Sequence, residues 1–329
     1  MRFQLFITIA CTALFTSCAK LPIEKQGKDE IIKVGYGPED MVLDEISWKE
    51  PRLLISCNSR RKGEPAYSEI NSYNLLTGEV KVLTRKEPAD LRFNPHGIDL
   101  VQVKDSLILL AVNHDRDAKV NSILRYLVRK DTLYYIQNII DPLISSPNAV
   151  TGFTDGTLLV SNDAKKHGNV WEVLFKMKKA QIVFWDGKTC SVAAEKFCYT
   201  NGITNKNGKV YLASTRQNMV WQFDFANGKM TNKTELASVN GPDNLRFDGD
   251  NLLTVCHLRF GAFLKHMKNP AKLSPTTVYR ISPTTHKTEV VYFDNGAQLS
   301  AGSTAIIYNG YLYTAGVFDA KMARRKIDQ

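Results

Sequence analysis

The residues able to do chemistry in this chain recur at intervals of about 50 positions. They are Glu39-Asp40, His96, Asn148, Asn201, Asp243-Asn244 and Ser303. Glu39 and Asp243 are carboxylates, while Asn148, Asn201 and Asn244 offer amide carbonyls. All are hard oxygen donors, which Ca2+ gathers in sets of about six to eight. Two negative charges match one divalent cation. The set contains no cysteine and no histidine-ligand pattern, which argues against zinc. Taken singly, each asparagine reads as a turn residue. Their regular recurrence makes them a candidate calcium site.

Distant residues can meet only if the fold brings their loops together. A propeller blade takes roughly 40–50 residues, and a propeller brings one loop per blade to a shared channel. The strand signals agree. Short apolar runs such as Arg52–Ser56, Leu107–Val112, Thr157–Ser161, Lys209–Ala213 and Tyr311–Ala315 each follow a turn. Aromatic strands precede hairpin turns at Thr77-Gly78, Asn227-Gly228 and Thr284-Thr285. The expectation is an all-β, six-bladed β-propeller with one or two short lid helices. The helical stretches are 168–180, with Val170, Trp171, Leu174 and Phe175 on one stripe, and 259–268, with Phe260, Phe263, Leu264 and Met267. Both stripes are expected to pack on the propeller, with contact to a bilayer as the alternative. Trp171, Phe175, Phe260 and Phe263 are the candidate substrate-pocket residues of these lids.

The chain ends carry addresses rather than core. Arg2 precedes an apolar run too short to span a bilayer, ending in Leu14-Phe15-Thr16-Ser17-Cys18. That order reads as a signal peptide over 1–17 with a lipobox, and makes Cys18 the lipidated residue. Residues 18–30 read as a lipidated tether, 31–321 as the propeller and 322–329 as a basic C-terminal tail. Ala19 after Cys18 suggests export to the outer membrane of a Gram-negative bacterium. The chain of 329 residues has a net charge of +10, but no basic–aromatic stripe that would fit nucleic acid. Attraction to an anionic membrane surface is one use for this charge and a solvated basic face another. Among the cysteines, Cys190 and Cys198 are candidates to pair, and no CxxC spacing suggests zinc. There is no G-x-S-x-G elbow, H-E-x-x-H pair or P-loop.

The contexts of the recurring residues carry a resemblance. Gly37-Pro38-Glu39-Asp40, Phe93-Asn94-Pro95-His96-Gly97-Ile98, Ala111-Val112-Asn113-His114-Asp115, Pro147-Asn148 and Ser161-Asn162-Asp163 come in order. Asn201-Gly202-Ile203, Asp243-Asn244, Cys256-His257 and Gly302-Ser303-Thr304 follow them. Together they resemble the paraoxonase/arylesterase family of six-bladed propeller lactonases, relatives of gluconolactonases. The Phe-Asn-Pro-His-Gly-Ile run is the most specific of these signals.

The resemblance implies that Glu39, Asn148, Asn201, Asp243 and Asn244 hold a catalytic Ca2+. It implies His96 as general base, His114 as its partner and His257 as a residue of the substrate pocket. It also implies a second, structural calcium held by Asp40, the Ile98 carbonyl and an Asp after Asn148. Ala149 stands at that last position, which removes one carboxylate. Two further departures concern the pocket and the chain ends. Ala164 replaces a histidine of the pocket wall, and no cysteine pair joins the chain ends. The expected function is calcium-dependent hydrolysis of lactones or aryl esters, with a small lactone or ester as partner and a membrane reached through the lipid anchor. The alternative is a non-catalytic calcium-containing propeller that binds a small ligand or protein. A condensation of the strictosidine-synthase kind is a third reading, but such propellers do not need the full ligand set that this chain carries.

Overall fold

A computed structural model describes residues 21–115, 119–166 and 168–327. Its strands form six sheets. Blade 1 runs through Pro38–Asp44, Arg52–Asn58, Ser68–Asn74 and Val80–Val82. Blade 2 holds Pro95–Val103, Ser106–Asp115, Val120–Arg129 and Thr132–Ile139, with Thr84–Lys86 added in parallel at its outer edge. Blade 3 holds Pro147–Gly152, Leu158–Asn162, Ala180–Trp185 and Cys190–Phe197. Blade 4 holds Thr200–Lys206, Lys209–Ser214, Met219–Ala226 and Lys229–Ser238. Blade 5 holds Pro242–Asp248, Asn251–Cys256, Thr276–Ile281 and Thr288–Asp294. Blade 6 combines Gly302–Tyr308, Tyr311–Gly316 and Lys321–Lys326 with Glu30–Lys33 from the other end of the chain. The first strands of neighbouring blades touch in a closed ring. This is the expected six-bladed propeller.

The apolar runs identified in the sequence become inner strands, buried on both faces. Every residue of Arg52–Asn58 and of Leu158–Asn162 is buried. Their side chains fill the gaps between blades. Leu54 and Ile70 meet Ile98 and Leu109 between blades 1 and 2, and Leu159 and Ile182 meet Leu212 and Trp221 between blades 3 and 4. Each remaining inter-blade gap has its own cluster. The core is thus a ring of layers, and the axis is left for polar residues.

Several sequence expectations change. Of the expected tail 322–329, residues 322–326 belong to the sheet, because Lys321–Lys326 is an internal strand between Tyr311–Gly316 and Glu30–Lys33; residues 328–329 lie outside the described residues. Backbone pairing satisfies its polar groups, Met322 and Ala323 are buried, and Arg324 and Arg325 pair with Glu30 and Asp29 of the opposite chain end. The segment before residue 30 is also docked. Asp29 accepts hydrogen bonds from Tyr292 Oη at 2.8 Å and Arg325 Nε at 2.6 Å, and Gln26 bonds Asp294. This backbone and ion-pair closure stands where a terminal cysteine bridge is missing. Cys190 and Cys198 are both free. They sit at the two ends of one extended strand, roughly 25 Å apart at about 3.3 Å per residue. Cys18 lies outside the described residues.

The first lid is shorter than its stripe suggested, whereas the second is helical over nearly all of the expected stretch. Helix α1 is Val170–Leu174 and helix α2 is Phe260–Lys268. Helix α2 packs, with His266 buried. On α1 the expected packing is reversed. Trp171 and Phe175 are 64% and 69% exposed and stack on each other at 5.6 Å, whereas Glu172 turns inward to Lys165 N and Asn169 Nδ2. Among the described residues no helix is long and apolar enough to cross a membrane.

Candidate metal centre and active site

Each recurring residue is the second residue of an innermost strand. Glu39 follows Pro38, His96 follows Pro95, Asn148 follows Pro147, and Asp243 follows Pro242; Asn201 and Ser303 follow Thr200 and Gly302. Proline suits a first strand position, where no ladder donor is needed. In every blade the pairing register shifts at this point, between Pro38 and Asp40, Pro95 and Ile98, Pro147 and Ala149, Thr200 and Ile203, Pro242 and Leu245, and Gly302 and Thr304. A bulge of this kind leaves residues out of the ladder and re-aims their side chains. Six bulges therefore deliver six sets of polar groups to the axis.

Hydroxyls from neighbouring strands fix these bulges across the blade boundaries. Ser56 donates to the His96 carbonyl, Ser161 to the Asn201 carbonyl, Thr215 to the Pro242 carbonyl at 2.7 Å and Ser303 to the Glu39 carbonyl at 2.6 Å. Gly97 and Gly202 allow the close approach this needs. A Cβ on Gly97 would lie 2.5 Å from the Asn148 carbonyl oxygen, and one on Gly202 2.6 Å from Asn244 Cα.

The ring brings the five implied ligands together. Asn244 Nδ2 donates to Glu39 Oε1 at 3.0 Å, and Asn201 Nδ2 lies 3.4 Å from Thr215 Oγ1, which holds the strand of Asp243. Ser161 links the Asn148 strand, through Ala149 N at 3.1 Å, to that of Asn201. All five side chains are at most 5% exposed. Glu39 Oε2, Asn148 Oδ1, Asn201 Oδ1 and Asp243 Oδ1 are buried with no hydrogen-bond partner. Buried polar atoms are nearly always paired, so four orphaned oxygens at the innermost strand starts of four blades fit a cation. Burial, then the neighbouring Asp40 charge, pushes the Glu39 carboxyl up to about 8. Among the described residues no cluster of three or more His, Cys, Asp or Glu could hold a metal; the donors here are mostly amides. This set fits Ca2+ by number, charge and hardness.

The histidines divide into two groups. His96 and His114 face each other edge-on, centroids 5.3 Å apart. His96 Nε2 is 3.7 Å from Glu39 Oε1, and its side chain is 21% exposed. His114 Nδ1 donates to Asn121 Oδ1 at 2.7 Å, while Asn121 Nδ2 donates to the Ser145 carbonyl. The proton is thereby assigned to Nδ1, and Nε2 is the basic nitrogen of the neutral His114 ring. His257 does not act as a simple pocket wall. Its Nε2 donates to Asp243 Oδ2 at 2.7 Å, and the Phe263 ring lies 4.3 Å from it. It holds a candidate ligand in place.

Of the lid residues, Phe263 and Phe260 reach this mouth, stacked on each other at 6.1 Å, with Phe318 beside Phe263. Trp171 and Phe175 face outward. Two further residues escaped the sequence reading. Arg60 Nη1 donates to the Gly37 carbonyl at 2.6 Å, and its Nη2 lies 3.4 Å from His96 Nδ1. Tyr199 has φ 57°, and burial, then the charges of Asp163, Asp243 and Glu39, raises its hydroxyl well above 10. A bulky residue at positive φ is unusual. Neither residue has a local pattern that sets it apart from an ordinary Arg or Tyr.

Asp40 and Ile98, expected as ligands of a second ion, are engaged otherwise. Arg246 Nη2 donates to Asp40 Oδ2 at 2.6 Å and to the Ile98 carbonyl at 2.7 Å. Ala149 offers only a buried methyl group. These residues do not fit a second calcium.

The fold and this axial pocket define a six-bladed propeller with its reactive groups gathered at the starts of the inner strands. Residues 47–323 match the family model described as Arylesterase, and the chain belongs to that family. Membership makes it a hydrolase of the carboxylic-ester class. Serum paraoxonase/arylesterase 1 of Mus musculus is 27% identical over 277 residues, covering 81% of this chain and 74% of the relative. Serum paraoxonase/lactonase 3 of Homo sapiens is 26% identical over 239 residues, covering 69% of this chain and 67% of the relative. A gluconolactonase from Xanthomonas campestris shares the fold with a TM-score of 0.58 at 12% identity, covering 93% of this chain and 92% of its own.

Proposed function

We propose that this protein is a calcium-dependent hydrolase of lactones and aryl esters. The observation that carries the reading is the set of four orphaned, buried oxygens on Glu39, Asn148, Asn201 and Asp243. Those residues, with Asn244, would hold the ion. When bound, Ca2+ supplies a Lewis acid for the ester carbonyl oxygen and for the charge that develops there. The chain's own residues do the rest. His96, partly exposed beside the ligands, receives the proton of the attacking water. His114, edge-on to it with Nδ1 held by Asn121, orients His96 or passes that proton on. Phe260 and Phe263 give the mouth an apolar wall for the substrate body and exclude water from the site.

Hydrolysis of phenyl acetate and a lactone panel, with and without chelator, tests this reading. Turnover is expected to vanish on chelation and return with CaCl2; chelator-insensitive turnover would defeat the calcium dependence. His96→Gln is expected to lower kcat by about 10²–10⁴-fold with calcium binding retained. A second reading is a metal-keeping propeller that binds a ligand without turning it over. The observation behind it is Ala164, a small buried side chain where the resemblance implies a pocket histidine. Tight calcium binding with no turnover on any ester would favour it. We further propose that Cys18 carries a lipid anchor to the outer membrane. Cys18→Ala should then move the protein out of the membrane fraction.

A further inference from the structure

Glu39 and Asp40 are adjacent buried acids, but their surroundings are opposite. Glu39 Oε2 has no hydrogen-bond partner. Asp40 is saturated. Its Oδ1 accepts from Met41 N at 2.9 Å and Thr304 Oγ1 at 3.1 Å, and its Oδ2 from Ile98 N at 2.9 Å and Arg246 Nη2 at 2.6 Å. Arg246 enters from the inner strand of blade 5, two residues beyond Asn244. Its Nε donates to the Met41 carbonyl at 2.7 Å, Nη1 to the Leu245 carbonyl at 3.1 Å and Nη2 to the Ile98 carbonyl at 2.7 Å. One guanidinium thus collects a carboxylate and three backbone carbonyls from blades 1, 2 and 5. That is an all-oxygen environment of the kind a structural dication would collect. Half-buried Asp99 feels the same positive charge, while its Oδ2 accepts from Gly152 N at 2.9 Å and from Thr151 Oγ1 at 3.1 Å.

We propose that Arg246 is a covalently attached replacement for the second metal ion. The charges balance either way. Two ligand carboxylates need a dication, but with Ala149 in place of one of them only Asp40 remains within hydrogen-bond reach of the guanidinium, whose single charge neutralises it. The planar fork, with donors in fixed directions, can bridge Asp40, Ile98 and Met41 at once; an ammonium cannot. Arg246 therefore closes the channel beneath the Glu39 site and holds the strand that carries Glu39. The chain takes up no second divalent ion, and the part of its stability residing in this bridge is independent of calcium. This inference does not depend on whether the Glu39 site binds calcium.

The test is calorimetric titration of chelator-stripped protein with CaCl2, alongside melting curves with and without calcium. The wild-type chain is expected to bind at most one ion; two ions per chain would overturn the proposal. Arg246→Gln should lower the calcium-free Tm by about 10 °C, as removal of one partner from a buried ion pair does. An unchanged Tm would also overturn it. The double variant Arg246→Gln/Ala149→Asp should bind one ion more than wild type and regain Tm on adding calcium; no extra ion would count against the proposal. Should Arg246→Gln alone fail to fold, the wild-type stoichiometry and the double variant decide. A wild type that binds no ion, with one gained by the double variant, would sink the Glu39 site and leave Arg246 standing.

Discussion

Glu39, Asn148, Asn201 and Asp243 each hold one buried oxygen without a hydrogen-bond partner, a state that costs about 1–3 kcal/mol per buried group. The geometry of such a site depends on what fixes each ligand, and for Asp243 that is His257. Outer partners of ligating carboxylates usually matter by about 10–100-fold in affinity. His257→Gln is therefore expected to weaken calcium binding by roughly that factor, read as the dissociation constant in a calcium titration. An unchanged constant would reduce His257 to a packing partner of Phe263. Glu39, Asp243 and the three asparagines were legible in the sequence because their types and their recurrence agree with one chemistry. Arg246 was not. An arginine two positions beyond Asn244 reads as a solvated charge until the fold places Asp40 against it.

At the scale of elements, the bulge at the start of each inner strand does the positioning. The lid helices are held by polar pins, to which α2 adds the packing of Phe263 on Phe318. Arg61 donates to Asp319 Oδ1 at 2.7 Å and approaches His266 Nε2 at 2.7 Å, while His266 Nδ1 donates to the Lys272 carbonyl at 2.8 Å. Burial alone would raise the Asp319 carboxyl. The neighbouring His266 ring and the hydrogen bond and charge of Arg61 outweigh it and bring the group from its ordinary 3.8 to about 2. A depressed carboxylate adds stability above its ordinary value and loses that contribution as pH falls towards the folded one. Hydrogen exchange across α2 is thus expected to accelerate in wild type between about pH 4 and pH 2. Asp319→Asn should already exchange fast at pH 5 and change little below it. Helix α1 shows why its stripe misled. The spacing of Trp171, Leu174 and Phe175 fits a helix, but spacing does not say which face the core will take, and here Glu172 faces inward.

The whole molecule is a ring, and a ring must be closed. The first described strand, Glu30–Lys33, pairs with Lys321–Lys326, the last. Beside that seam Asp29, buried, holds Arg325 at 2.6 Å. Asp29→Ala removes one partner of a buried ion pair and should cost about 3–5 kcal/mol, measured by chemical denaturation. A loss below about 1 kcal/mol would show that backbone pairing alone closes the ring. This closure replaces the missing cysteine bridge, and it turns the basic segment 321–326 from an expected tail into part of the sheet.

The sequence by itself determined the repeat, the strand runs and the oxygen-donor set. Each depends on local residue type and on regular spacing, which survive without knowing any contact. Only the tertiary structure decided which acids are left unpaired and which are neutralised. Glu39 and Asp40 are neighbours in sequence with the same chemistry. Their different fates depend on Arg246, some 200 residues away along the chain, and a contact at that range exists only once all six blades have closed.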